Sequence, residues 1–471
     1  NRDISLRIPA GTIHGIIGEN GAGKSTLMSI LYGFYQADHG DIFVNGKHTV
    51  IETPSDAIAH GIGMVHQHFM LVHNFTVLEN IILGAEGEPL LKTSIAKARS
   101  ELQRLEREYG LEVNPDAVIE DLPVGLQQRV EILKALYRGA EILILDEPTG
   151  VLTPAEADHL FRIFRQLKEE GKTVVLITHK LREIMAVTDN VSVMRQGEMV
   201  ATRKTNETTV EELAELMVGR RVLLRVEKGV ASPGPVVLSV KNLTVEDARG
   251  ITMVDDVSFD VRAGEIIGIA GIAGNGQSEL LETITGIRKA VSGSVSLDGV
   301  PIDLTGEADP ADLRNRGMAH VPEDRHHMGL VLPFEENENA ILGYHRHDRY
   351  RKGALLDIDA IRDDAREKIE KYDIRPANCR LKTANFSGGN QQKIVLSREM
   401  EQDPKVLVVG QPTRGVDVGA IEFIRRQLIE MRDRGKAVLL VSVELDEIRS
   451  LSDRIFVSWL LSSNLGCCVS L

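Results

Sequence analysis

Residues 18–26 read Gly18-Glu19-Asn20-Gly21-Ala22-Gly23-Lys24-Ser25-Thr26, a glycine-rich loop that closes on a lysine and a hydroxyl residue. The apolar run at 13–17 predicts a strand that enters the loop, and residues 24–32 predict a helix that leaves it. Glycines let backbone N–H groups turn inward around phosphate oxygens, and the following helix adds the positive end of its dipole. The loop therefore predicts a phosphate-binding turn between a strand and a helix of an α/β domain.

Two side chains of this loop and two carboxylates further along the chain indicate nucleotide chemistry. Lys24 can reach β- and γ-phosphates, and Ser25 can offer its hydroxyl to Mg²⁺. Residues 142–149 predict a buried strand that carries Asp146 and Glu147 at its C-terminal end, where ligands of open parallel sheets bind. Asp146 would hold the hydration shell of Mg²⁺, and Glu147 would orient or deprotonate an attacking water. Without the loop, a merely acidic turn would be an equally good interpretation.

The pattern occurs twice in the chain. Lys24 aligns with Gln277 at one offset, and after an insertion Gln127 aligns with Gln391 at a second offset. Only two copies exist and each is long, so they are predicted to be duplicated domains and not the units of a solenoid. In the second copy the loop at 271–278 keeps its glycines but has glutamine where the first copy has lysine.

Four segments are predicted from the repeat: a first domain at 1–218, a linker at 219–235, a second domain at 236–457 and an atypical tail at 458–471. The linker is short, polar and interrupted by Pro and Gly. The second domain starts with a stretch that has no counterpart before the first residue, so the first domain is expected to lack its N-terminal strand. The tail no longer follows the repeat, and a frame shift explains it better than a new functional element does.

The alternation of β-rich runs with helical patterns predicts a parallel α/β core in each copy. Residues 141–145 and 174–177 predict further buried strands. Between the strand at 13–17 and these strands lies a predicted helical insert, whose apolar stripes are core faces rather than ligand sites. These stripes are Ile95, Ala98, Leu102, Leu105 and Tyr109 in the first copy and Ile361, Ala365, Ile369 and Tyr372 in the second. The fold class is therefore α/β, with two tandem P-loop NTPase domains that each have an α/β core and a helical subdomain.

Composition limits the function classes. The formal net charge of −14 argues against a nucleic-acid partner, which usually meets a basic face. No apolar run approaches the roughly 20 residues that a membrane span needs. The three cysteines do not have the spacing of a metal site or a disulfide framework.

In their order and spacing these motifs resemble those of the ATP-binding cassette (ABC) ATPase family, over nearly the whole chain. Gln67, in the segment 64–68, is similar to the family's Q-loop, which contacts Mg²⁺. His179 is similar to its switch histidine, which lies at the γ-phosphate. The segment 386–392 resembles the signature motif, which covers the γ-phosphate of ATP held by the opposite domain. Taken singly, Gln67 would be a surface residue and His179 a structural one.

Each copy departs from the family pattern in a different place. In the second copy, Gln277 replaces the loop lysine, Glu323 replaces the Q-loop glutamine, Gly410-Gln411 replaces the carboxylate pair and Val443 replaces the histidine. In the first copy, the signature at 122–126 lacks the serine. Family members pair their domains head to tail, so the resemblance implies that all intact elements meet in one composite site. The second site is expected to bind nucleotide weakly or to hold it unhydrolysed.

The resemblance thus implies three groups of site residues, with ATP and Mg²⁺ as cofactors. The catalytic residues are Glu147, His179 and Gln67, and the metal-binding residues are Ser25, Gln67 and Asp146. The nucleotide-binding residues are Gly18, Glu19, Asn20, Gly21, Ala22, Gly23, Lys24, Ser25, Thr26, Ser387, Gly388, Gly389 and Gln391.

Fused double cassettes of this kind resemble the ATP-hydrolysing subunits of bacterial importers for nucleosides and simple sugars. Segments 321–325 and 411–417 carry most of this resemblance, and Gln277 favours the nucleoside branch, because the sugar branch more often has Arg there. Integral-membrane permease subunits and a periplasmic or lipid-anchored solute-binding protein are the implied partners. The chain would then be peripheral, at the cytoplasmic face of the plasma membrane. The choice between a nucleoside and a pentose, galactose or other sugar stays open.

The alternative is a soluble twin-cassette ATPase that acts on ribosomes or DNA. Ribosomal members keep both loops and both signatures and have a long charged linker, and DNA-repair members carry zinc cysteines or long coiled coils. The short linker, the degraded second loop and the acidic balance of this chain favour the importer.

Overall fold

The computed structural model describes residues 1–66, 69–84, 91–150, 152, 154–223, 226–247, 249–272, 274–304, 309–457 and 469–470. It divides into two compact units, which we call unit 1 (Asn1–Val222) and unit 2 (Leu223–Leu471).

Unit 1 is an alternation of strands and helices. In chain order its elements are β1 (Ile13–Ile17), α1 (Lys24–Leu31), β2 (Ile42–Val44), β3 (Lys47–Thr49), α2 (Pro54–Ala59), β4 (Ile62–Val65), α3 (Val77–Ile82), α4 (Leu91–Tyr109), α5 (Val124–Tyr137), β5 (Ile142–Asp146), α6 (Pro154–Glu169), β6 (Thr173–Thr178), α7 (Leu181–Val187), β7 (Asn190–Arg195), β8 (Glu198–Lys204) and α8 (Val210–Val218).

Unit 2 repeats this alternation after an antiparallel hairpin. Its elements are β9 (Val236–Glu246), β10 (Thr252–Arg262), β11 (Glu265–Ala270), α9 (Gln277–Ile284), β12 (Ser292–Leu297), β13 (Val300–Ile302), α10 (Pro310–Asn315), β14 (Met318–Val321), α11 (Glu336–Asn339), β15 (Arg351–Lys352), β16 (Leu355–Leu356), α12 (Ile358–Lys371), α13 (Gly388–Met400), β17 (Val406–Gly410), α14 (Val418–Asp433), β18 (Ala437–Ser442), α15 (Leu445–Leu451), β19 (Arg454–Val457) and β20 (Val469–Ser470).

The central sheets of the two units have the same strand order. It is β4-β5-β6-β1-β7-β8 in unit 1 and β14-β17-β18-β11-β19-β20 in unit 2. Five neighbouring strands are parallel in each sheet, and the last strand is antiparallel. The strands are near-continuous apolar runs because parallel sheets are covered on both faces. The predicted fold, two tandem α/β cassettes, is confirmed.

Helices of the predicted insert cover part of each core. In α4, the side chains of Ala98, Leu102, Leu105 and Tyr109 are buried, and that of Ile95 is partly buried. In and directly after α12, the side chains of Ile361, Ala365, Ile369 and Tyr372 are also buried. The apolar stripes are therefore core faces, as their helical spacing predicted.

Unit 2 also contains a four-stranded antiparallel sheet in the order β10-β9-β12-β13, and unit 1 has the two-stranded sheet β2-β3. Of the predicted tail at 458–471, only 469–470 lies within the described residues, where it pairs with β19. Within the ranges that the structure describes, no helix is both long enough and apolar enough to cross a bilayer.

Candidate functional site

The glycine loop of unit 1 joins β1 to α1 and holds the lysine in place. α1 begins at Lys24, directly after Gly23, whose φ of 96° lies in the left-handed region. The Lys24 ammonium donates to the carbonyl oxygens of Gly18, at 2.8 Å, and Glu19, at 3.1 Å. A Cβ at Gly18 would lie 2.4 Å from the carbonyl oxygen of Met194, so this position requires glycine. The buried charge of Lys24 is thus fixed at the loop where phosphate oxygens would meet it.

The carboxylates of Asp146 and Glu147 lie at the C-terminal end of β5, next to the glycine loop. Asp146 is its last residue, is 6% exposed and accepts a hydrogen bond from the hydroxyl of Ser25. Burial raises the pKa of Asp146, whereas the Ser25 bond and the charge of Lys24 act in the opposite direction. Two of the three predicted metal-binding residues therefore form a direct hydroxyl–carboxylate pair.

Glu147 and His179 meet across neighbouring strands. β5 and β6 are parallel and in register, so their carboxyl ends lie at the same edge of the sheet. Glu147 has a φ of 49°, in the left-handed region, and its N–H donates to the carbonyl of Ile177 at 2.9 Å. Nδ1 of His179 lies 2.8 Å from Oε1 of Glu147. The imidazole therefore holds one oxygen of the predicted catalytic carboxylate.

Gln67, the third predicted catalytic residue, lies outside the described residues. The strand before it, β4, ends at Val65 and pairs in register with β5, where Val65 faces Leu145. The chain therefore leaves β4 at the edge of the sheet that carries Asp146 and Glu147.

Sequence reasoning missed Glu183, a buried carboxylate of α7 behind this edge. It accepts hydrogen bonds from the hydroxyls of Thr149 and Thr178, which follow β5 and end β6. Burial raises its pKa. Glu447 has the same place in α15 of unit 2, at the offset that also relates Gln127 to Gln391. The presence of Glu at the same position in both copies was therefore the sequence feature that could have identified this residue.

The corresponding edge of unit 2 has a different set of contacts. Gln277 is 4% exposed, and its Nε2 has no hydrogen-bond partner among the described residues. The Ser278 hydroxyl donates to Oε2 of Glu323 at 2.5 Å. Gln411 has a φ of 46°, and its side-chain carbonyl accepts from the N–H of Val443 at 3.2 Å. At this edge Gln411 has the same backbone conformation as Glu147 in unit 1, but its side chain ends in an amide and not in a carboxylate.

The signature segment of unit 2 forms the start of α13. Ser387 caps this helix, and its hydroxyl accepts from the backbone N–H of Asn390, at 3.4 Å, and from Nδ2 of Asn390, at 2.9 Å. A Cβ at Gly388 would lie 2.9 Å from the carbonyl oxygen of Gly415, whereas one at Gly389 would meet only the carboxylate of Asp417 closer than 3.0 Å. Position 388 therefore requires glycine.

Gln391, also predicted to contact nucleotide, is buried inside unit 2. Its Nε2 donates to the carbonyl of Thr383 at 3.1 Å, and its Oε1 lies 2.8 Å from Nε2 of His326. These bonds hold α13 against its neighbours. In unit 1 the corresponding helix, α5, begins after Pro123, which makes no side-chain capping bond.

The family model of the ABC transporter matches residues 1–150 and 254–414, which together are more than half of the chain. The chain belongs to the ABC transporter family. The prediction of an ABC-type ATPase that binds ATP is confirmed by this membership.

Among known relatives of this ABC ATPase, the nucleoside import ATP-binding protein NupA of Lactococcus lactis is 50% identical, with 97% of this chain and 90% of that protein covered. The guanosine import ATP-binding protein NupO of Bacillus subtilis is also 50% identical, over 97% and 89%. The glucose import ATP-binding protein TsgD13 of Haloferax volcanii is 45% identical, over 97% and 88%. The predicted resemblance to the nucleoside branch is confirmed by the first two.

An archaeal ribosome recycling factor, solved with a ribosomal stalk protein, shares the fold of the ABC ATPase with a TM-score of 0.62. It is only 19% identical, and the match covers 96% of this chain and 84% of that one. This likeness shows the fold alone. The much higher identities to import proteins favour the importer over the ribosomal alternative.

Proposed function

We propose that this chain is the ATP-hydrolysing subunit of a nucleoside importer and that hydrolysis takes place at the loop of unit 1. One observation carries the proposal. Lys24, the Ser25–Asp146 pair and the Glu147–His179 pair lie at one edge of one sheet, each fixed by hydrogen bonds. Unit 2 has Gln277, Gly410 and Gln411 instead of the lysine and the two carboxylates.

The residues of unit 1 fit a Mg²⁺–ATP complex. The backbone N–H groups of residues 18–26 and the ammonium of Lys24 would hold the phosphates. A hydroxyl and a carboxylate are the hard oxygen ligands that Mg²⁺ prefers, and Ser25 and Asp146 supply one of each. Bound there, Mg²⁺ would neutralise charge on the phosphates. Gln67 is proposed as a further ligand because it follows β4 at the same edge.

Glu147 is proposed as the group that prepares the attacking water. Its carboxylate can accept the proton of a water in line with the γ-phosphate, and His179 keeps that carboxylate in a fixed orientation. Gln411 has an amide at the corresponding position, which has no basic oxygen of comparable strength. Unit 2 would therefore hold nucleotide without turning it over.

Ser387, Gly388 and Gly389 are proposed to complete the site of unit 1 in the head-to-tail pairing of the family. The Ser387 hydroxyl and the backbone N–H groups at the start of α13 are donors suited to a γ-phosphate. The signature of unit 1 has Pro123 in place of this serine and offers no hydroxyl there.

Permease subunits in the membrane and a separate solute-binding protein are the proposed partners, with this chain peripheral at the cytoplasmic face. The names of the relatives that are 50% identical support nucleosides as the solute. The glucose import relative, at 45% identity, makes a simple sugar the second candidate.

The substitution Glu147→Gln tests the proposal. We expect it to lower steady-state ATP hydrolysis by the purified chain about 100-fold or more, because it removes the proton acceptor but not the phosphate ligands. ATP binding, measured by equilibrium dialysis, should remain. In cells that also make the permease, the variant should abolish uptake of radiolabelled guanosine and leave glucose uptake unchanged.

Gln411→Glu is the matched control. It should leave steady-state ATP hydrolysis at the wild-type rate, because a carboxylate at this position alone does not make unit 2 hydrolyse ATP. Hydrolysis near the wild-type rate in the Glu147→Gln variant would contradict the assignment of the site. Loss of glucose uptake in place of guanosine uptake would leave the site intact and make the sugar the solute.

A further inference from the structure

A short hairpin of unit 2 concentrates positive charge on an acidic chain. Residues 345–352 contain four Arg and Lys and a single Asp, whereas the whole chain has a formal net charge of −14. They lead into β15 and β16, which pair with each other in antiparallel fashion. We call residues 345–358 the basic hairpin.

The first copy has no such segment. Both copies reach this place through a Leu-Gly pair, at 83–84 and at 342–343. In the first copy the chain then continues with Glu86 and Glu88 and has no Arg or Lys before Lys92. The charge at this place therefore has the opposite sign in the two copies, and the basic hairpin belongs to unit 2 alone.

The base of the basic hairpin is fixed to α12. Tyr350 is 1% exposed, and its hydroxyl donates to Oδ2 of Asp364 at 2.8 Å. The N–H of Asp357 donates to the carbonyl of Tyr350 at 2.9 Å, and the Asp357 carboxylate caps α12 by accepting from the N–H of Ala360. Gly353, with a φ of 66°, supplies the left-handed conformation that a two-residue hairpin turn needs. The tip is therefore held in a defined place on unit 2.

The tip presents apolar side chains to solvent beside its cations. Leu355 is 76% exposed and Leu356 is 47% exposed. In the antiparallel pairing, Arg351 lies opposite Leu356, and Lys352 lies opposite Leu355. Residues that face each other in this way lie on the same side of a hairpin, so each side carries one cation next to one leucine. Charge and apolar surface are therefore combined within two residue pairs.

Most cations of the basic hairpin are available to a partner. Arg346, Arg351 and Lys352 are exposed, and none of them has an ion-pair partner among the residues that the structure describes. Arg349 differs, because its guanidinium approaches Asp364 at 3.6 Å. Three positive charges can therefore bind an anionic partner without first giving up a carboxylate of the described chain.

Cations beside exposed leucines fit an anionic membrane surface better than they fit another polyanion. At a membrane, arginine and lysine side chains meet lipid phosphates, while leucine side chains enter the boundary between headgroups and acyl chains. A nucleic acid would attract the cations equally well but would offer the leucines no apolar layer to enter. The net charge of −14 also repels a polyanion from most of the surface. The chemistry of the tip therefore favours anionic lipid.

We propose that the basic hairpin is a membrane contact, at which its three unpaired cations bind phosphates of anionic lipids and Leu355 and Leu356 enter the interface. The inference rests on the proposed place of this chain at the cytoplasmic face and goes beyond it, because unit 2 touches lipid directly and not only through permease subunits. Stable attachment to a membrane takes two weak signals together, here charge and apolar insertion. Binding should therefore fall when either one is removed.

Sedimentation with lipid vesicles tests the inference on the purified full chain, without permease. Wild-type protein should bind vesicles of phosphatidylcholine and phosphatidylglycerol in equal parts, bind phosphatidylcholine alone much less, and lose the anionic binding at about 1 M salt. Arg351→Glu with Lys352→Glu should weaken binding about 25-fold or more, because each cation at an anionic surface contributes about a factor of five. Leu355→Ser with Leu356→Ser should weaken it about tenfold or more.

Lys47→Glu with Lys289→Glu is the matched control, because it makes the same change of charge at two exposed lysines outside the basic hairpin. This variant should bind vesicles as the wild type does. Steady-state ATP hydrolysis in solution should be unchanged in all three double variants, since none of their residues belongs to the proposed nucleotide site.

Equal binding to the two kinds of vesicle, no binding to either, or equal weakening by the control and by the hairpin charge variant would overturn the inference. Full binding by the leucine variant would also overturn it, because a surface that acts through charge alone suits a nucleic acid as well. So would hairpin variants that bind vesicles normally but abolish guanosine uptake, which would assign the basic hairpin to a permease subunit. None of these results bears on hydrolysis at unit 1, which the Glu147→Gln measurement tests separately.

Discussion

Units 1 and 2 have the same sheet order but differ in the residues at the ends of the strands. Asp146 and Glu147 end and follow β5, whereas Gly410 and Gln411 end and follow β17. The buried strands are apolar in both, so the cores do not distinguish the two units. Fold and chemistry therefore depend on separate residues, and substitutions at one edge can remove the reaction while the sheet persists.

Among substitutions that test the difference between the two units, Ser387→Ala is expected to have the largest effect on ATP hydrolysis. In the proposed site Ser387 donates to a γ-phosphate, and removing one such preorganised donor should lower ATP hydrolysis by about 100-fold. The same substitution removes a helix cap worth about 1 kcal/mol, so stability must be measured as well.

Ser387→Asp separates the two roles of this residue. Aspartate caps a helix as well as serine does, but it places a negative charge against phosphate. Steady-state ATP hydrolysis should therefore stay low while thermal unfolding returns to the wild-type temperature. If the aspartate variant hydrolyses ATP at the wild-type rate, Ser387 is only a cap.

A smaller effect is expected from Gly410→Asp, which gives unit 2 the carboxylate that unit 1 has at this position. Its Cβ would approach Leu281 and the backbone of Glu323, so the free energy of unfolding should fall by about 1–3 kcal/mol. Thermal unfolding of the purified chain measures this loss. Val443→His, at a 43% exposed side chain, should change stability by less than about 0.5 kcal/mol.

Neither variant should raise ATP hydrolysis, because the loop of unit 2 still has Gln277. An aspartate variant as stable as the wild type would show that Glu323 does not exclude a side chain at 410.

The smallest effect is expected from Pro123→Ser, which gives unit 1 the signature serine of unit 2. Pro123 has φ and ψ of −55° and 150°, close to the −62° and 157° of Ser387, so the backbone accepts the change. A gained cap and the lost stiffness of proline nearly cancel, at about 0.5–1 kcal/mol each. ATP hydrolysis should not change, and an increase would mean that the loop of unit 2 supports turnover.

Much of the fold and of the site of unit 1 was predictable from short segments. The loop at 18–26 and the apolar runs around it specify a strand, a turn and a helix, because glycines and hydrophobic periodicity act locally. The strand that ends at Asp146 was displaced by only one residue from its prediction. The fold of the second unit was then predictable from the repeat, since the same pattern recurs at fixed offsets.

The bond between Ser278 and Glu323 was not predictable from the sequence. Alignment with the first copy identifies Glu323 only as the counterpart of Gln67. Its partner depends on how the segments after β11 and β14 approach each other in three dimensions, which no local pattern of the sequence encodes. The repeat marks Glu183 through its counterpart Glu447, but not the two hydroxyls that Glu183 meets, because these come from residues at the ends of other strands.

Glu147 and Gln411 share a left-handed backbone, with φ values of 49° and 46°. Such a conformation costs a residue with a side chain about 1–2 kcal/mol, and unit 2 retains it although its side chain can no longer act as a base. The same backbone bond holds the bend in both units, from the N–H of Glu147 to the carbonyl of Ile177 and from the N–H of Gln411 to the carbonyl of Val441. The left-handed bend at this strand end therefore belongs to the fold that the two units share, and only the side chain on it differs between them.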